Sequence, residues 1–183
     1  MAETKTFRGS TGSSSPRPFP HGAPQGSGAP SGAVLETTPG PGPHPPLDLP
    51  AGLRGFIEEL ARKGYPNEAC GLLLGRQEPH ATRVARVTLA RNLAEERRAD
   101  RYILDPQDYL LADKSARRDR LEIVGIWHTH PDHPARPSIT DLNSAWPDYT
   151  YIIVAVHQRE VADLTAWRLD GSHFVQQTIE EGS

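Results

Sequence analysis

The stretch Trp127-His128-Thr129-His130-Pro131, followed by Ser138 and Asp141, holds the residue types of a hydrolytic metal site. A catalytic zinc site uses three protein ligands and leaves a fourth position for water. Two imidazoles and one carboxylate meet that need. The spacing supports convergence. Glu122 to Trp127 is a β-branched, apolar run of strand type, and on a strand residues i and i+2 share a face. His128 and His130 therefore project together, with Trp127 and Thr129 on the opposite face. Ser138-Ile139-Thr140-Asp141 reads as a helix start, with Ser138 at the cap and Asp141 three residues on. Pro131, Pro134 and Pro137 stiffen the connector, which suits a loop that must return Asp141 to the histidines. Each piece also has a plainer meaning. A His-x-His pair can be two solvated or hydrogen-bonded imidazoles, and Ser-x-x-Asp caps helices that do no chemistry. The combination is the specific signal.

The elements that must position these residues are legible around them. Leu53, Phe56, Ile57 and Leu60 recur at helical spacing, so 52–63 reads as an amphipathic helix ended by Gly64 and Pro66. Cys70 to Leu74 reads as a buried strand and Arg83 to Leu89 as a strand with one wet face. Residues 91–101 are charged and read as loop, with Tyr102 to Leu104 a candidate short strand. Pro106 opens a helix to Arg118, with Tyr109, Leu110 and Ala116 available to face inward. After the histidine strand at 122–130 and the Ser138 helix, which Pro147 bounds, Tyr149 to Val156 is a continuous apolar run of central-strand type. Leu164–Leu169 and His173–Thr178 form a closing hairpin around Asp170-Gly171. The expected fold class is α/β, a mixed sheet with helices packed on it.

Composition divides the chain of 183 residues. Eleven of eighteen prolines and eight of sixteen glycines fall within residues 1–50, together with Ser13-Ser14-Ser15 and charges that cancel. Such a segment buries too little apolar surface to offset its ordering entropy, so 1–49 is expected to be a disordered N-terminal tail and 50–183 the folded domain. No run approaches the length of a membrane span, and the N-terminus lacks the apolar core of a secretory signal. Cys70 is the single cysteine, which excludes an intrachain disulfide and is compatible with a reducing cytoplasm. The net charge of −3 argues against a dedicated nucleic-acid binder.

Water at a metal site needs a base to take its proton. Among the carboxylates Glu68 stands out, in Pro66-Asn67-Glu68-Ala69-Cys70-Gly71-Leu72-Leu73-Leu74-Gly75, because it sits where a helix ends and a buried strand begins. The plainer reading is a solvent-exposed loop glutamate. Glu68-x-x-Gly71, His128-x-His130 and the spacing to Ser138 and Asp141 together resemble the JAMM motif of the MPN+ zinc metallopeptidases. The resemblance runs in order through residues 52–183 and includes the Leu-Leu-Leu-Gly strand and the Leu-Asp-Pro before the second helix. It implies an MPN/JAMM-like fold. It further implies zinc held by His128, His130 and Asp141, Glu68 as general base, and Ser138 as a stabiliser of the oxyanion. The short connector around Pro131–Ser138 is similar to the prokaryotic branch of the family. That branch is associated with small ubiquitin-like or sulfur-carrier proteins ending in Gly-Gly, and its activity is peptidase or isopeptidase hydrolysis after that Gly-Gly. Thr129 stands where serine is more usual and Trp127 where tyrosine is frequent, and neither supplies a ligand.

Other residues invite weaker readings. Cys70 reads as a buried small hydrophobe before it reads as a ligand or nucleophile. His133 reads as substrate-facing or solvated. Arg117-Arg118-Asp119-Arg120 reads as a solvated helix end, with attraction of an acidic partner as its functional alternative. Trp146, Trp167 and Tyr149 read as core. A non-catalytic MPN-type scaffold that binds partner proteins is the competing function. A zinc deaminase is excluded, since its His/Cys/Cys or Cys₃ ligand set needs more than one cysteine.

Overall fold

The structure is a computed structural model, and it describes residues 44–182. In chain order its elements are β1 (Leu47–Asp48), α1 (Ala51–Gly64), β2 (Cys70–Gln77), β3 (Thr82–Ala90), α2 (Pro106–Arg118), β4 (Glu122–Pro131), α3 (Ile139–Ser144), β5 (Thr150–His157), β6 (Glu160–Asp170), β7 (His173–Gln177) and β8 (Ile179–Glu180). The strands join in one sheet ordered β7-β6-β5-β4-β2-β3-β1-β8. β4 and β5 run parallel, whereas β2 pairs antiparallel with both β3 and β4. The mixed sheet with packed helices is the architecture expected from the sequence.

The sheet is apolar on both faces, which is why β5 is a continuous run instead of an alternation. Ile152, Val154 and Val156 join the cluster that holds Ile57 and Ala61 of α1, together with Leu73, Val124 and Trp127. Tyr151, Ile153 and Ala155 join the cluster that holds Tyr109, Ala112 and Ala116 of α2, together with Leu72, Ile126 and Phe174. One helix covers each face.

Helix α2 starts where a proline can start a helix, with Pro in the first turn and the Asp105 side chain accepting from the Gln107 N–H. Its inward residues recur as Tyr109, Ala112 and Ala116. Leu110 is a correction to the sequence reading: it is 60 % exposed, because it lies about 100° around the helix from Tyr109. Tyr102 to Leu104 forms no strand either. Asn92 and Leu104 make an isolated bridge that pins the 91–104 loop.

The larger correction concerns the start of the domain. Residues 44–49, read as part of the tail, belong to the folded unit. β1 lies between β3 and β8, parallel to both, and Leu47 and Leu49 are fully buried in the α1-side cluster. Two strand residues between Pro46 and Pro50 carry no periodicity, so their pairing is set entirely by the sheet that receives them. The remainder of the expected tail, residues 1–43, lies outside the described residues. After β7 the chain passes through Thr178 directly into β8, so one segment borders both ends of the strand order. The sheet therefore curls back on itself. Among the described residues no helix is long and apolar enough to cross a membrane.

Candidate functional site

The site forms at the C-terminal end of β4, where the β2 ladder ends at His128 while pairing with β5 continues to Pro131. Register builds it. Cys70 pairs with His128, and Gly71 with Trp127. The pairing continues beyond β2: the Thr129 N–H donates to the Ala69 carbonyl at 2.9 Å, and the Ala69 N–H donates to Thr129 Oγ1 at 2.9 Å. One residue further, Glu68 stands beside His130. Thr129, on the face opposite the histidines, thus does the fastening that brings Glu68 to the site. Gly71 has a packing reason for its place in the motif. A Cβ there would meet the Thr88 carbonyl at 1.9 Å and Trp127 Nε1 at 2.4 Å, and the Trp127 indole needs that space to donate to Thr88 at 2.9 Å.

His128, His130 and Asp141 converge. His128 Nε2 lies 3.1 Å from His130 Nε2 and 3.1 Å from Asp141 Oδ1, and His130 Nε2 lies 3.5 Å from Asp141 Oδ2. They are the group of donors suited to a metal ion among the described residues, and all three are buried. The fit can be tested against zinc geometry. Metal–ligand bonds of about 2.0–2.1 Å at tetrahedral angles separate two donors by roughly 3.3 Å, and the observed separations bracket that value. Two imidazole nitrogens 3.1 Å apart cannot both present lone pairs to each other without a proton or a cation between them. A nitrogen and oxygen donor set of this kind suits zinc.

Helix capping and the placing of the Asp141 carboxylate in the donor cluster are one arrangement here. Ser138 Oγ accepts from the Asp141 N–H at 3.2 Å, while the Ser138 N–H and hydroxyl both donate to Asp141 Oδ2 at 2.7 Å. This capping box starts α3 and fixes the carboxylate that faces the histidines. His130 Nδ1 is 2.9 Å from the Pro134 carbonyl, which makes Nδ1 the protonated nitrogen and leaves the Nε2 lone pair for the cluster.

Electrostatics follow from burial and proximity. Burial lowers the pKa of His128 and so keeps it neutral. Burial also works against charge on His130, but its hydrogen bond to Asp141 and the fields of Asp141 and Glu68 outweigh this and raise its pKa. Burial alone would raise Asp141, yet the two histidines hold it well below the usual carboxylate range. Glu68 is 7 % exposed, not the solvated loop residue of the plainer reading. Its burial pushes it up to about 8, opposed by His130 and reinforced by Asp141 and Asp100.

Cys70 is buried and its thiol is pushed up to about 12, first by burial, so it is neither thiolate nor ligand in the cluster. His133 is exposed and lies outside the cluster. Arg117 pairs with Asp113 at 2.9 Å, and Asp119 caps α2 and pairs with Arg86. The charge run is therefore partly engaged within the domain. Sequence reasoning missed Tyr102, whose ring stacks on His128 at 4.6 Å between centroids. Only an aromatic in a polar loop marked it.

Replacing His128 and His130 together by alanine is expected to abolish zinc binding, from one ion per chain to none, since a single carboxylate is a poor site. Metal analysis of the purified variant checks this. Full zinc content in the variant would place the metal elsewhere.

A family profile described as prokaryotic homologs of the JAB domain matches residues 50–170. A desampylase of Haloferax volcanii is 31 % identical over 138 residues, which cover 73 % of this chain and 94 % of that protein. A probable TtuB-protein conjugate cleaving protease of Thermus thermophilus is 36 % identical over 104 residues, 55 % of this chain and 66 % of that one. Among solved structures, a protein of Desulfitobacterium hafniense aligns with a TM-score of 0.65 at 29 % identity, covering 73 % of this chain and 91 % of the other. The match of profile, fold and converging donors places this chain in the prokaryotic JAB-domain family, among the metallopeptidases of JAMM type.

Proposed function

We propose that the protein is a zinc-dependent peptidase or isopeptidase that hydrolyses the bond after the C-terminal Gly-Gly of a small ubiquitin-like or sulfur-carrier protein. The observation that carries this reading is the convergence of His128, His130 and Asp141 at 3.1–3.5 Å with a buried Glu68 beside them. The relatives' names, a desampylase and a conjugate cleaving protease, support the substrate class.

Zinc held by His128, His130 and Asp141 would supply Lewis acidity and a water acidic enough to lose its proton near neutral pH. The chain supplies the rest. Glu68 takes that proton on its carboxylate and returns it to the leaving amine, the work of a general base and then a general acid. Pro134 and Ser138 hold His130 and Asp141 in place, so these two side chains need not move during reaction. Ser138 is assigned the oxyanion. Its hydroxyl donates to Asp141 Oδ2 at 2.7 Å, and turning it toward substrate leaves that oxygen still held by the Ser138 N–H. A donor of this type contributes about 2.7–4 kcal/mol to the transition state.

A substrate must reach a site at a strand end as an extended chain, a mode in which peptides commonly dock along sheet edges. Gly-Gly suits it because small residues let the backbone come close. The lone, buried Cys70 suits a reducing cytoplasm as the place of action.

The test is incubation with a sulfur carrier bearing residues after Gly-Gly, with and without a chelator, followed by mass measurement. Loss of the added residues that the chelator blocks is the expected result. Intact carriers after incubation with zinc-loaded protein would favour the partner-binding scaffold instead.

A further inference from the structure

The two histidines of the cluster are held in different ways. His130 turns Nδ1 to a backbone carbonyl, the outer contact that ordinarily fixes the tautomer and ring plane of a metal-ligating imidazole. Nδ1 of His128 is buried and has no hydrogen-bond partner among the described residues. The χ2 torsion of histidine is broad and roughly two-fold, so a ring without that contact needs another restraint on its plane.

Tyr102 lies against it. The two rings stack with centroids 4.6 Å apart and planes 29° apart. Tyr102 comes from the 91–104 loop, and one side chain seats it there. Asn92 Nδ2 donates to the Arg101 carbonyl at 3.0 Å, and Asn92 Oδ1 accepts from the Ile103 N–H at 3.0 Å. The peptide groups on both sides of Tyr102 are thereby gripped. The same Nδ2 donates to the Glu68 carbonyl at 3.0 Å, and Oδ1 also accepts from the Ala94 N–H at 2.9 Å. One amide thus ties the loop bearing Tyr102 to the backbone of Glu68.

We propose that Tyr102, seated by Asn92, is a positioning residue that sets the ring plane of His128 for metal binding, its aromatic face standing in for the hydrogen bond that Nδ1 of His128 lacks. The proposal rests on the reading of His128 as a metal ligand. It makes the aromatic face the working part of Tyr102, so the phenol hydroxyl is dispensable and the ring is not. Asn92 then serves the two halves of the site at once, since it holds the stacked ring and the segment that carries Glu68.

The test is zinc affinity, measured by competition with a chromophoric chelator, for wild type, Tyr102→Phe and Tyr102→Leu. Absorption of the cobalt-substituted proteins reports ligand geometry, and melting of the metal-free proteins reports folding. Tyr102→Phe is expected to bind zinc as tightly as wild type, with the same cobalt spectrum. Tyr102→Leu is expected to bind on the order of 10–100-fold more weakly, the usual effect of losing an outer contact to a metal ligand, with an altered cobalt spectrum. Wild-type zinc affinity and spectrum in Tyr102→Leu would overturn the proposal alone. A wild-type protein that takes up no zinc would overturn the site reading and this proposal together. Should Tyr102→Leu not fold, proton NMR of the wild-type protein decides. A stacked ring shifts the His128 ring protons upfield of those of His130, and unshifted resonances would overturn the stack as the restraint.

Discussion

Glu68→Gln is expected to keep its zinc and to lose roughly 10²–10⁴-fold in turnover, the usual share of a general base. The side chain contributes no atom to the ligand cluster, so metal content should not change. Gln matches the shape of the protonated acid, and Glu68 is already pushed up to about 8 by burial. The substitution therefore exchanges a carboxyl group that burial biases toward its neutral form for a neutral amide of the same shape, without opening a cavity, and melting should not fall. What the amide cannot do is accept a proton. Metal analysis, melting and turnover on one preparation separate these effects. A variant with the wild-type rate would remove Glu68 from the mechanism and turn attention to another carboxylate.

Two truncations are expected to behave in opposite ways. Removing residues 1–43 should leave melting and turnover close to wild type, because that segment is Pro-, Gly- and Ser-rich and lacks a core-forming pattern. Removing residues 1–49 should unfold much of the protein at ordinary temperature. That cut deletes Leu47 and Leu49, both fully buried. Loss of a buried leucine side chain costs about 2–5 kcal/mol, against a typical total stability of about 5–15 kcal/mol. It also parts β3 from β8, which pair through β1, removes the Pro46 carbonyl that accepts from the Thr82 N–H, and leaves the Thr178 carbonyl without the Leu47 N–H. Thermal melting of the two truncated proteins is the measurement. Equal melting temperatures would show that β1 contributes nothing to the fold.

The convergence of His128, His130 and Asp141 was legible because local rules place them. His128 and His130 follow from strand period, and Asp141 follows from a capping box whose geometry is fixed within four residues. Helix α2 was legible to the residue for the same reason, since Pro106 marks its start. Glu68 was only half legible. Its burial depends on the register between β2 and β4 and on the pairing of Ala69 with Thr129, 60 residues apart in the chain, and no local pattern reports such a pairing. The same holds for β1 and β8, two residues each, which exist as strands only because neighbouring strands receive them. Tyr102 is the clearest case. A tyrosine in a charged loop gives no sign that it will lie on a histidine until the fold brings the two together.

The pairing of β1 with β8 has a further consequence for how the chain is made. The Leu47 N–H bonds to the Thr178 carbonyl and the Leu49 N–H to the Glu180 carbonyl. A strand at the beginning of the domain therefore waits for its partner at the end, the longest loop closure the fold requires. During synthesis from the N-terminus, Leu47 and Leu49 leave the ribosome long before residues 178–180 exist. The nascent domain must keep two apolar side chains and an unpaired strand edge until the last segment arrives, a state in which association with other chains competes with folding.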